Sequence, residues 1–197
     1  MKRGAEVARK TRETAIEVSI ELDGAGQAEV HTGVGFLDHM LTHIAKHGLF
    51  DLRVTAKGDL QVDDHHTVED VGICLGKAVL KAVEQPVGLV RFGHAVVPMD
   101  EALAEVAVDF SGRPFLAFEA EFHRERVGQF DAELVEEFFR AFAVNSRTTL
   151  HVILRKGTNV HHAIEALFKA FARALAEAVR QDPRIKDVPS TKGMLET

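Results

Sequence analysis

The segment VDDHHTVED, residues 62–70, holds adjacent histidines, His65 and His66, followed by Glu69. The segment NVHHAIEALF repeats the pattern with His161, His162 and Glu165. On an α-helix each residue turns by about 100°, so His65 and Glu69 lie on one face and can reach one ion. His66 points about 100° round the helix and serves a second ion more naturally. The same holds for His161 with Glu165, and for His162. Imidazole and carboxylate donors without thiolate suit Mn²⁺, Fe²⁺, Co²⁺ or Zn²⁺. The other histidines of the chain, His43, His47, His94, His123 and His151 among them, are read as ordinary structural residues, although His43 and His47 share a helix face with His39.

The elements that must position these residues also come in duplicate. The first half offers strands over Ala5–Thr11, Thr14–Leu22 and Gly26–Thr32, a helix over Phe36–Lys46 closed by Gly48, a strand over Asp51–Ala56, and a helix from His65 to about Val83. TAIEVSIEL alternates as a half-buried strand does, and LDGAGQ carries the Asp-Gly pair of a hairpin turn. The second half offers strands over Arg91–Val97, Ala102–Phe110 and Pro114–Phe122, and a helix over Asp131–Val144 with Asp131 as N-cap. A strand over Thr148–Arg155 and a helix from His161 to about Arg180 complete it. The order βββαβα thus occurs twice, over residues 1–88 and 89–197. It predicts an α+β fold in which each half is a four-stranded antiparallel or mixed sheet with two helices on one face.

The repeat also assigns further ligands. Leu52 answers Leu150, Val54 answers Val152, and Lys57-Gly58 answers Lys156-Gly157. In that register His39, in GFLDHML, pairs with Glu137, in ELVEEFF. Grouped by half, the expected sets are His39, His65, His66 and Glu69, and Glu137, His161, His162 and Glu165. Four protein donors per ion leave open positions, which suits catalysis or substrate binding. Anion ligands are sought among Arg91, Arg113, Lys169 and Lys192, with Ser190 and Thr191 in the tail segment VPSTKGML.

Composition narrows the classes. The 197 residues are 46% hydrophobic and 27% charged, with 11 histidines and a net charge of −6. That balance disfavours a general nucleic-acid coat, and no apolar run approaches a membrane span. One cysteine, Cys74, excludes an intramolecular disulfide and a thiolate cluster, so the cytoplasm is the default compartment. No P-loop or GxGxxG occurs, so a nucleotide site has no support.

With these residues assembled, the chain resembles the imidazoleglycerol-phosphate dehydratase family of histidine biosynthesis. The resemblance is carried, in order, by RETAIEV, LDGAG, TGVGFLDHML, GDLQVDDHHTVEDVGICLG, PMDEAL, VDFSGRP, TLHV, NVHHAIEALFKAFARAL and PSTKG. No DxDxT motif is present, so the monofunctional form is expected. The resemblance implies a ribosomal protein S5 domain 2-like fold used twice, two Mn²⁺ ions per active site and a cage-like homo-oligomer, a 24-mer. It implies His39, His65, His66, Glu69, His161, His162 and Glu165 as metal ligands; Glu137 stands where many members carry a histidine. Glu13 matches the family's acid–base glutamate, with Glu69 and Glu165 the other catalytic glutamates. Arg91, Arg113, Lys169, Ser190 and Lys192 match phosphate-binding positions, and Asp100 and Glu101, in PMDE, lie beside the expected substrate site. The implied reaction turns imidazole glycerol phosphate into imidazole acetol phosphate, the metals stabilising imidazolate so that the ring expels hydroxide. The competing expectations are a dinuclear metallohydrolase of a phosphorylated small molecule and a non-enzymatic metal-binding shell.

Overall fold

A computed structural model describes residues 3–84 and 86–195. The first sheet is built from β1 (Gly4–Lys10), β2 (Thr14–Glu21), β3 (Ala28–His31) and β4 (Asp51–Gly58), in the order β1-β2-β4-β3. The second is built from β5 (Phe92–Met99), β6 (Ala102–Asp109), β7 (Phe115–Glu119) and β10 (Thr149–Lys156), in the matching order β5-β6-β10-β7. Both sheets are mixed, because β3 runs parallel to β4 and β7 parallel to β10. Residues Ile16, Val18 and Ile20 of β2, with Ala104, Val106 and Val108 of β6, are buried, and their neighbours alternate outward. Only one face of each sheet therefore needs a cover. The helices α1 (Gly35–Gly48) and α2 (His65–Val83) supply it on the first sheet, and α3 (Leu134–Ser146) and α4 (Val160–Ala178) on the second.

The helices then pack across the halves. α1 lies on α4, and α2 on α3, giving layers of sheet, helix pair, helix pair and sheet. The α2–α3 contact depends on two glycines. A Cβ on Gly72 would sit 2.8 Å from the Phe138 carbonyl oxygen, and one on Gly76 would sit 2.7 Å from that of Phe142. The repeat register holds in three dimensions. Leu37, Met40, Leu41, Ile44 and Ala45 of α1 are buried at the positions filled by Val135, Phe138, Phe139, Phe142 and Ala143 of α3. The extra residue implied by pairing Lys57-Gly58 with Lys156-Gly157 is taken up by a bulge between Leu154 and Lys156.

Two local expectations are corrected. LDGAGQ does not close a hairpin, since β2 pairs with β4, which enters the sheet between β2 and β3. The Asp51 carboxylate instead accepts hydrogen bonds from the Ala25 and Gln27 N–H groups and seats the turn against β4. Asp131 does not cap α3, whose first residue is Leu134. It belongs to β9 (Phe130–Asp131), which pairs with β8 (Arg126–Val127) in a short ribbon that has no counterpart among the described elements of the first half. There the Asp131 carboxylate accepts hydrogen bonds from Arg126.

Candidate metal centre and anion pocket

The start of α4 is fixed by Asn159, whose side-chain oxygen accepts hydrogen bonds from the His161 and His162 N–H groups. Asp63 does the same for the His65 N–H at the start of α2, at 2.9 Å. These caps hold both histidine pairs in a first helical turn. One turn on, the Glu165 Oε2 lies 3.1 Å from His161 Nε2. His39 of α1 brings its Nε2 to 3.1 Å from the same oxygen. His43 places its Nε2 3.1 Å from Glu165 Oε1, which also receives the Lys169 ammonium at 2.6 Å. The Glu165 side chain is only 6% exposed, so one buried carboxylate is surrounded by three imidazoles and an ammonium.

Electrostatics follow from that crowding. Burial works to raise the Glu165 pKa, but Lys169, His43 and His39 outweigh it and hold the carboxyl at about 2. Burial pushes the His43 imidazole down to about 4 against the pull of Glu165, so this ring is neutral near neutral pH. His39, His43 and Glu165 each bring one donor atom within 4.8 Å of the others. A deprotonated carboxylate beside the neutral His43 imidazole is donor chemistry that suits a divalent cation.

The structure redraws the grouping by halves. His39 meets His161 and Glu165 of the other half, because α1 packs on α4 and not on α2. Glu137 stands on α3, which packs on α2, the helix that carries His65 and Glu69. Gly72 and Gly76 lie beside Phe138 and Phe142, so one turn earlier Glu69 runs alongside the first turn of α3, where Glu137 stands. Glu137 is about one-third exposed, with its carboxylate 3.8 Å from Arg140. Among the described residues it makes no hydrogen bond to His65 or Glu69. Glu136 pairs with Arg140 more closely.

His66 and His162 have other partners. His66 Nδ1 lies 3.1 Å from the Asp59 carboxylate, and His162 Nδ1 lies 2.8 Å from that of Glu101. These contacts raise both imidazole pKa values. Glu101 also accepts from the Asn159 N–H at 2.7 Å and the Thr158 N–H at 3.1 Å. The bonds from His162 and Asn159 hold its pKa down at about 2. Glu13, on the β1–β2 turn, places Oε1 4.0 Å from His66 Nε2. Asp100 is exposed, 3.8 Å from His162 Nδ1.

The anion candidates fall in two places. Arg91, Ser111, Arg113, Ser190, Thr191 and Lys192 line one open cavity of about 610 Å³. Within it the Arg91 guanidinium is engaged: it donates to Asp109 at 2.7 and 3.2 Å and to the Pro189 carbonyl at 2.7 Å, so it ties the tail segment down. Lys169 is not in that cavity and sits on Glu165. The sequence marked His43 only by the helix face it shares with His39, and Glu101 only by its place beside the expected substrate site; their contacts with Glu165 and His162 were not foreseen. The spacing of His43 one turn after His39 was its signal. Nothing in the sequence singled out Asp59, which reaches His66 from the loop after β4.

The profile of the family described as imidazoleglycerol-phosphate dehydratase matches residues 32–175. Two curated relatives of that description come from Bacillus licheniformis and Thermoanaerobacter pseudethanolicus. They are 57% and 60% identical, each over 98% of this chain and 100% of theirs. A crystal structure of imidazoleglycerol-phosphate dehydratase from Staphylococcus aureus superposes with a TM-score of 0.83 at 45% identity, covering 91% of this chain and 99% of that one. The IGPD of Pyrococcus furiosus gives a TM-score of 0.83 at 38% identity, covering 96% of this chain and 100% of that one.

Proposed function

Because this chain belongs to the imidazoleglycerol-phosphate dehydratase family, we propose that it is a hydro-lyase of histidine biosynthesis converting imidazole glycerol phosphate to imidazole acetol phosphate and water. The observation that carries the reading is the convergence of His39 and His161 on the buried carboxylate of Glu165. This donor set fits a divalent cation of the Mn²⁺ class, and Cys74 is buried elsewhere as a free thiol. We assign one ion to His39, His161 and Glu165 and a second to Glu137, His65 and Glu69. When bound, the two Mn²⁺ ions supply Lewis acidity toward the two ring nitrogens of the substrate.

The protein's own groups do the rest. Glu165 is held ionised with the Lys169 ammonium beside it, so it presents a negative oxygen at neutral pH. Glu13 has a carboxylate exposed to the site and is positioned to move the proton from the carbon beyond the one losing hydroxide. Arg113, from the loop between β6 and β7, and Ser190 and Lys192, on the tail anchored by Arg91, hold the terminal phosphate, and Arg113 supplies a planar fork suited to its oxygens. Lys169 contributes a point charge from the Glu165 side, and Asp100 borders the substrate beside His162.

His66 and His162 make their contacts with Asp59 and Glu101 and not with Glu165, so in this reading each centre takes its further imidazole from a neighbouring copy. That requirement, with Phe92, Val96 and Phe115 about half exposed, supports a homo-oligomer, which we take to be the 24-mer of the family resemblance. No helix among the described residues is long and apolar enough to cross a membrane, and the lone thiol agrees with a cytoplasmic setting.

The reading is tested by incubating the Mn²⁺-loaded protein with imidazole glycerol phosphate. A ketone that retains its phosphate is expected. Release of inorganic phosphate would make the chain a hydrolase, and an unchanged substrate would leave a metal-binding shell.

A further inference from the structure

His66 and His162, which do not contact Glu165, are not loose. Each has a carboxylate on its Nδ1: Asp59 on His66 at 3.1 Å and Glu101 on His162 at 2.8 Å. A carboxylate accepts hydrogen bonds and a neutral imidazole has one donor and one acceptor nitrogen. The proton of each ring therefore sits on Nδ1, which leaves Nε2 as the bare acceptor. We infer that Asp59 and Glu101 are positioning residues that fix this tautomer and aim Nε2 of His66 and His162 at a divalent cation. The inference rests on the metal reading above.

The two carboxylates are not products of the repeat, and that makes the inference specific. Val18 pairs with Val54, and Val106 with Val152, so Glu13 before β2 corresponds to Glu101 before β6. Glu101 is fully committed, to His162 and to the Thr158 and Asn159 N–H groups. Glu13 makes none of these contacts, because Asp59 has taken over the Nδ1 side of His66 from the loop after β4. Its carboxylate lies on the Nε2 side instead, 4.0 Å away. The same turn position thus orients an imidazole in the second half and is released for proton transfer in the first.

Asp59 gives the clean test, since among the described residues its carboxylate hydrogen-bonds only to His66. Mn²⁺ affinity is measured from the electron paramagnetic resonance signal of the free ion, at fixed pH and protein concentration. The comparison runs across wild type, Asp59→Ala, Asp59→Asn, Glu101→Ala, Glu101→Gln and Glu13→Gln, with the apo melting temperature of each. Both alanine variants are expected to bind Mn²⁺ roughly 10–100-fold more weakly, the usual cost of losing a carboxylate behind a ligating histidine. Asn and Gln, which keep an acceptor for Nδ1–H, are expected to recover most of the loss, and Glu13→Gln to bind as wild type does. A purely structural role would lower the apo melting temperature and leave affinity alone. Wild-type affinity in Asp59→Ala overturns the inference even if Glu101→Ala is weakened through α4. A wild-type protein that takes up no Mn²⁺ would instead remove the metal reading itself.

Discussion

Glu137 is the residue at which this chain departs from a simple pair of imidazole-rich centres. It occupies on α3 the position His39 holds on α1, with buried neighbours matching along both helices. Its carboxylate is about one-third exposed and stands at the position of His39, whose ring reaches Glu165 in the other half. Its contact with Arg140, at 3.8 Å, is loose, whereas Glu136 is the closer partner of that arginine. Glu137→Ala is therefore expected to lose one of the two bound ions and its turnover. Glu136→Ala should keep both, and Glu137→His should retain metal with part of the activity. Metal analysis after exhaustive dialysis decides it: full occupancy in Glu137→Ala would free this position from the centre. The His39–Glu137 pairing was legible because the strand after each helix carries the repeat register, Leu52 answering Leu150 and Val54 answering Val152. The partners of each residue were not, because periodicity says which face of a helix is apolar and not which helix covers it.

The exchange of partners between halves belongs to the helices. α2 approaches α3 closely because Gly72 and Gly76 present no side chain to it. A methyl group on Gly76 would meet backbone atoms of Phe142 and Ser146, at 2.7 and 3.0 Å, and neither can swing aside. Gly76→Ala is thus expected to cost on the order of 1–3 kcal/mol, as overpacking usually does. A calorimetric melting temperature unchanged from wild type would show that the helices separate without penalty. The strands taught a different lesson. TAIEVSIEL was legible as β2 because one face is buried and the other is not. The Asp-Gly turn after it marked a bend correctly, but a turn signal does not say with which strand the chain pairs next. The hydrogen bonds from Ala25 and Gln27 to Asp51 commit the bend to β4. The β8–β9 ribbon escaped notice because two-residue strands leave no period to read.

At the scale of the molecule, duplication supplies two helix starts, and helix exchange makes each centre a joint product of both halves. Adjacent histidines then do what their 100° separation allows: His161 turns to Glu165, while His162 is held by Glu101. The centre proposed above is completed by a neighbouring copy, and what decides it is which residues surround each ion. Anomalous diffraction at the manganese edge from crystals of the Mn²⁺-loaded protein answers that directly. The account predicts one ion bound by His39, His161 and Glu165 of one chain, completed by His66 or His162 of a neighbouring copy. The second ion should be held by Glu137, His65 and Glu69, completed in the same way. Ions ligated by His39, His65, His66 and Glu69 of a single half, with no neighbouring copy involved, would contradict it.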